Sequence, residues 1–184
     1  MASALVGLFV GITVGLAPAS AQMPADAKFI QNIEKREYNE LMTYLVNGGS
    51  PNVYDQDKVP ALVVAAREND ASMVRSILEY GARPDLYDRD NGETALMVGA
   101  GRGNEDIVQL LLFFKADIDQ PDDGGETALI KAIRGGYVSI IRLLLEAGAD
   151  PTLADYTGLE PRDHALRARS RRVVQAFDEA VAAR

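Results

Sequence analysis

The chain has 184 residues, 47% of them hydrophobic, carries a formal net charge of −8, and contains no cysteine, no tryptophan and a single histidine, His164. A zinc centre built from His and Cys, a disulfide framework and a Cys–His nucleophilic pair are therefore excluded. The acidic balance argues against sequence-independent nucleic-acid binding, which depends on neutralising phosphates with Lys and Arg.

No charged side chain precedes Asp26. Leu5 to Ala17 is an apolar stretch, followed by Pro18 and the small-x-small run Ala19-Ser20-Ala21, the pattern of a secretory signal with cleavage between Ala21 and Gln22. The stretch falls short of the about 20 apolar residues that a membrane span needs, so no membrane association is expected after cleavage. A basic n-region is missing, since Met1-Ala-Ser carries only its amino group. Residues 1–21 are thus expected as a signal peptide and 22–184 as one exported domain, periplasmic or secreted, from a bacterium.

From residue 26 onward the chain repeats itself. Asp55, Asp88, Asp122 and Asp155 recur at intervals of 33 or 34 residues, as do Leu62, Leu96 and Leu129, while Gly81-Ala82 and Gly148-Ala149 stand two periods apart. A period of that size means that each unit is one supersecondary element that cannot bury its apolar face alone, so neighbours must stack into a solenoid. Five units fit, approximately 26–55, 56–88, 89–121, 122–155 and 156–184, with atypical first and last copies as end caps. In the first, Leu41, Tyr44, Leu45, Val46 and Gly48-Gly-Ser-Pro stand in register with the second unit; in the last, Val173, Val174 and Phe177 replace the triple leucine of units three and four.

Within a unit, Asp, Asn and Gly open a tight turn, and Thr94 or Thr127 stands where a first helix needs an N-cap oxygen. That helix is short and small-sided, with Ala95, Gly99 and Ala100 or Ala128 and Ala132, and Gly103 or Gly136 is placed to end it in the left-handed conformation. The second helix carries Ile107, Val108, Leu110, Leu111 and Leu112, repeated as Ile140, Ile141, Leu143, Leu144 and Leu145, the apolar periodicity of a core-facing helix. The predicted fold class is all-α, helix-turn-helix units joined by β-hairpin-like turns.

Gly92-Glu-Thr-Ala-Leu-Met-Val-Gly-Ala, Gly125-Glu-Thr-Ala-Leu-Ile-Lys-Ala-Ile and Gly148-Ala-Asp resemble the ankyrin-repeat consensus, and the resemblance covers nearly everything after residue 25. Val63, Met97, Ile130 and Asp163 stand at the place of the consensus His, so the network which that His makes in the family is expected to be absent. Pro60 replaces a capping Thr, and Lys115 replaces the glycine found at Gly81 and Gly148.

Catalysis finds no support in the residues. There is no Gly-x-Ser-x-Gly elbow and no phosphate loop ending in Gly-Lys-Ser/Thr, and the acidic turns lack the spacing of a calcium loop. His164 is expected on the surface of the last unit's first helix. No enzyme, metal or cofactor is predicted. Residues 157–184 hold six arginines against four acids, read as the solvated face of an end cap.

The resemblance implies protein binding in a concave groove lined by hairpin tips and first helices. Carried over by position, its protein-binding places are Lys58, Arg89, Asp90, Glu93, Asp123, Glu126 and Tyr156 on the turns, and Arg67, Glu68, Arg102 and Arg134 near the helix ends. Their mixed charge suggests a charge-complementary partner. The expected role is a non-catalytic, monomeric module binding and supporting another exported protein; the alternative is an immunity protein that blocks a secreted toxin or enzyme.

Overall fold

The structure is a computed structural model that describes residues 24–183, so the expected signal peptide and its Ala21–Gln22 cleavage point lie outside the described residues. In chain order the helices are α1 Ala25–Glu34, α2 Tyr38–Val46, α3 Ala61–Arg67, α4 Ala71–Glu79, α5 Ala95–Arg102, α6 Glu105–Phe113, α7 Ala128–Gly135, α8 Val138–Glu146, α9 Pro161–Arg167 and α10 Arg171–Ala182. Among the described residues there is no strand. Two isolated antiparallel bridges, Tyr54–Pro60 and Tyr87–Thr94, mark hairpins between units. The expected all-α helix-turn-helix solenoid is what forms.

First and second helices segregate into two layers. α3, α5, α7 and α9 pack in sequence along one side, and α4, α6, α8 and α10 along the other, with each first helix also packed on its own second helix. Small residues make the inner layer possible: Ala95 and Ala100 are fully buried, and a Cβ added to Gly99 would lie 2.9 Å from Ile107 Cγ2. The second helices supply bulk, with Ile107, Val108, Leu111, Ile140, Ile141 and Leu144 fully buried.

Capping explains where the helices begin. Asp70 accepts from the Ser72 and Met73 amides at the start of α4, and Asn104 accepts from the Ile107 amide at the start of α6, satisfying amides that have no intrahelical partner. At α5, Thr94 Oγ1 accepts from the Met97 amide at 3.3 Å while the Thr94 amide donates to Met97 Sδ at 3.5 Å. The sulfur of Met97 thus makes a local bond at the place of the missing consensus His. Thr127 departs from expectation: it begins α7, but its hydroxyl makes no capping bond and is buried without a partner. Gly103 and Gly136 end α5 and α7 at φ +77° and +75°, as expected.

Two rows of hydrogen bonds tie unit to unit. At the tips, the amides of Arg89, Asp123 and Tyr156 donate to the carbonyls of Lys58, Asn91 and Gly124 at 3.4, 3.0 and 3.0 Å. At the opposite loops, Asn52 Oδ1, Asp85 Oδ1 and Asp119 Oδ1 accept from the amides of Arg83, Asp117 and Asp150 at 2.8, 2.7 and 2.9 Å. Both rows keep the period of the repeat, so each hairpin is fixed against the next by its backbone as well as by its helices.

Left-handed backbone recurs at equivalent places, and not always at glycine. Lys115 sits at φ +64° where Gly81 and Gly148 have φ +90° and +107°, and Lys58 at φ +61° where Gly92, Gly125 and Gly158 stand. A side chain in this region costs on the order of 1 kcal/mol relative to glycine. Lys115→Gly is therefore expected to stabilise the protein by about 1 kcal/mol, seen as a rise of about 2–4 °C in Tm; an unchanged or lower Tm would refute the assignment. Leu111→Ala is expected to cost about 2–5 kcal/mol by opening a cavity, measured by urea unfolding, and a loss below about 0.5 kcal/mol would mean that α6 is not core.

Candidate protein-binding groove

The face made by hairpin tips and first helices is organised by the repeated aspartates. Asp122 Oδ1 accepts from the Gly124 and Glu126 amides at 2.8 and 2.9 Å, while its Oδ2 lies 2.7 Å from Lys131 Nζ. Asp155 does the same: Oδ1 accepts from the Thr157 amide and hydroxyl and from the Leu159 amide, and Oδ2 lies 2.9 Å from His164 Nε2. One oxygen shapes the turn and the other anchors it to the first helix. Lys131 and His164 occupy equivalent places, 33 residues apart.

In the third unit that place is Val98, which cannot pair with a carboxylate. Asp88 still shapes its turn, accepting from the Asp90 amide at 2.9 Å, but takes its cation from α3, the first helix before the hairpin rather than after it: Arg67 Nη2 lies 2.7 Å from Asp88 Oδ2 and 3.1 Å from Glu93 Oε2. With Asp88 only 4% exposed, this substitute cation keeps a buried carboxylate paired.

His164 is therefore not the surface residue expected from the sequence. Its side chain is 11% exposed and faces Asp155; because an ionised carboxylate can only accept, Nε2 carries the shared proton. The Thr157 hydroxyl, followed by the Leu159 amide and the His164 ring, outweighs the opposing effect of burial and holds the Asp155 carboxyl well below the ordinary carboxylate range. Burial likewise works against the charges of Arg67 and Lys131, but the carboxylates of Asp88 and Glu93, and of Asp122 and Glu126, more than offset it, so both pKa values are raised.

The predicted binding residues fall into two sets, with Glu68 and Arg102 outside both. Arg67, Glu93, Glu126 and Arg134 are in ion pairs: Glu126 lies 2.8 Å from Lys131 Nζ and pairs with Arg134, and Arg67 pairs with Glu93. Lys58, Arg89, Asp90, Asp123 and Tyr156 are exposed on the tips; Arg89 stacks over the Tyr54 ring at 4.6 Å from its centroid, and Tyr156 is 72% exposed. Glu68 stands apart, its carbonyl accepting from Arg36 of the first unit at 2.8 Å. Arg102 is exposed and makes no ion pair among the described residues.

Arg67, Glu93, Arg102 and Arg134 converge on one open cavity of about 340 Å³, together with Lys131, Met97 and Val98. Lys131, Asp88 and Asp122 are missing from the set read from the sequence, although the common 33-residue spacing of Asp122–Asp155 and Lys131–His164 carries the signal for the pairing. Half of the charges expected to await a partner, Arg67, Glu68, Glu93, Glu126 and Arg134, are in ion pairs within the protein. Among the described residues no group of His, Asp and Glu is placed to hold a metal ion, and no helix is long and apolar enough to cross a membrane.

Removing one member of these clusters strands a buried charge. Arg67→Ala is expected to destabilise by about 1.5–3 kcal/mol, the scale of hydrogen bonds to charged groups, by urea unfolding; a change below about 0.5 kcal/mol would show Asp88 to be sufficiently held by its turn. Because Asp155 has a depressed folded pKa, its contribution is present above the unfolded value of about 3.9 and is lost progressively below it. Asp155→Asn is expected to flatten the fall in Tm below about pH 4; parallel Tm profiles for both proteins would refute the linkage.

Comparison with known proteins gives the same family as the repeat architecture. A comparison with curated proteins found no match. The family model described as Ankyrin repeats (3 copies) matches residues 30–122, 76–155 and 100–177, so the matches together span well over half of the sequence and include all the groove residues named above. Such repeats are generally non-catalytic modules for protein–protein interaction, and this chain belongs to the ankyrin-repeat family.

Proposed function

We propose that this chain is an exported, monomeric ankyrin-repeat protein that holds another exported protein in its groove and supports it there. The observation that carries the reading is that the groove is built before any partner arrives. Tip-to-tip backbone bonds and the Arg67 and Lys131 clusters fix its hairpins and first helices, so little ordering entropy is lost on binding. Export is supported by the apolar leader and the Ala19-Ser20-Ala21 run. A stable complex would bury about 800 Å² on each partner and draw on a few Arg or aromatic anchors; Arg102, Arg134 and Tyr156 are placed for that role.

Two measurements test the halves separately. Expressed in a bacterium with its leader, the protein is expected in the periplasm or medium with an intact mass that begins at Gln22; a cytoplasmic product beginning at Met1 overturns export. Tagged protein isolated from its native compartment is expected to retain a partner that the Arg102→Glu, Arg134→Glu double variant loses. A partner retained equally by the variant overturns the groove as its seat, and a captured toxin would replace support by inhibition.

A further inference from the structure

We propose that the third unit carries a receptacle for one acidic side chain of the partner, opened by Gly101 and read by Arg102; the inference rests on the groove reading above and names the chemistry it recognises. The hollow has an identifiable cause. Arg67, Gly101 and Arg134 stand at equivalent places near the ends of α3, α5 and α7, and Val98 is the equivalent of Lys131. At the Gly101 place the neighbouring units extend arginines where the third unit has no side chain, and at the Val98 place the third unit, like the second with Val64, has only a valine. The resulting cavity of about 340 Å³ lies between Arg67 on one side and Lys131 and Arg134 on the other.

Its chemistry selects among occupants. Met97 and Val98, 1% and 4% exposed, offer an apolar contact suited to the methylene stem of a side chain. The rim is cationic, but its cations are not equally available. Arg67, Lys131 and Arg134 already contact carboxylates of the hairpins, whereas Arg102 is exposed and has no ion pair among the described residues. A lysine or arginine from the partner would enter among four cations, three of which already hold the nearby carboxylates. An apolar side chain would use the floor and gain nothing from Arg102. Glutamate fits both, its stem on the floor and its carboxylate against the guanidinium, whose planar fork suits two parallel hydrogen bonds. Since the rim is open to water, the pair contributes mainly to specificity.

Gly101 also supplies a way to close the site without disturbing the fold. A Cβ there would lie 3.6 Å from Lys131 Cβ, an ordinary contact, and its backbone is not left-handed. Gly101→Arg restores the residue found at both equivalent places and fills the hollow.

The test is selection of short random peptides on the folded chain, with Gly101→Arg and Arg102→Ala as comparison targets and amide NMR shifts to locate binding. Melting curves establish that both variants fold. The expected result is peptides with Glu or Asp at one fixed position that shift the Gly101, Arg102 and Gly135 amides and bind each variant about tenfold more weakly, or about 1.4 kcal/mol. Changing that Glu to Gln should weaken binding to the parent similarly. Peptides that shift the same amides but carry a basic or apolar residue there, or bind Gly101→Arg unchanged, overturn the acidic receptacle and leave the groove standing. Peptides that shift only the tips overturn the receptacle and leave the groove standing, whereas peptides that shift only α10, or a selection with no binder, overturn both.

Discussion

The aspartates at Asp88, Asp122 and Asp155 divide their two carboxylate oxygens between a turn and a helix, and the shape of the groove follows from that division. One oxygen collects amides of the hairpin, and the other reaches a donor side chain on a first helix, Arg67, Lys131 or His164. All three residues are buried, so the ionised group must be well supplied with donors to be tolerated. Asp55, which shapes its turn by accepting from the Val59 amide at 2.8 Å, is half-buried, so it is under less pressure to find a second partner. The hairpin is thereby locked to the first helix that follows it at Asp122 and Asp155 and to the first helix that precedes it at Asp88.

That change of partner at Asp88 has a functional consequence. Because Gly101 stands where the neighbouring units have Arg67 and Arg134, and Val98 where the fourth has Lys131, the third unit leaves a hollow in the groove. The surrounding charges look, in sequence, like a set waiting for a complementary surface. In space they mostly complement one another, and partly exposed pairs of this kind add modest stability while holding side chains in position. What remains for a partner is a preorganised surface with Arg102 on its rim and exposed residues at the tips, a combination suited to selective binding with little reordering.

Much of the architecture was readable because it is local or periodic. Turn residues, the left-handed glycines at Gly103 and Gly136, and the apolar rhythm of Ile107 to Leu112 each report on conformation within a few residues, and repetition makes them mutually reinforcing. Lys115 was readable for the same reason, since the glycines at equivalent places reveal the backbone that it must adopt. Thr127 shows where such reasoning stops: the residue type suits a cap, yet its side-chain orientation leaves the hydroxyl unbonded. His164 shows it again, because a lone histidine in sequence carries no information about the Asp155 carboxylate nine residues earlier until the turn folds back onto α9.

The sequence by itself determined the period, the helix-turn-helix unit, the stack and the family, since all of these depend on short-range propensity and on repetition. Only the tertiary structure decided which charges are spent on one another, which helix supplies the cation for Asp88, and where the groove opens into a hollow. Those outcomes depend on the distance between side chains from adjacent hairpins and helices, and a spacing of 33 or 34 residues brings the right elements together without specifying which side chain completes each contact.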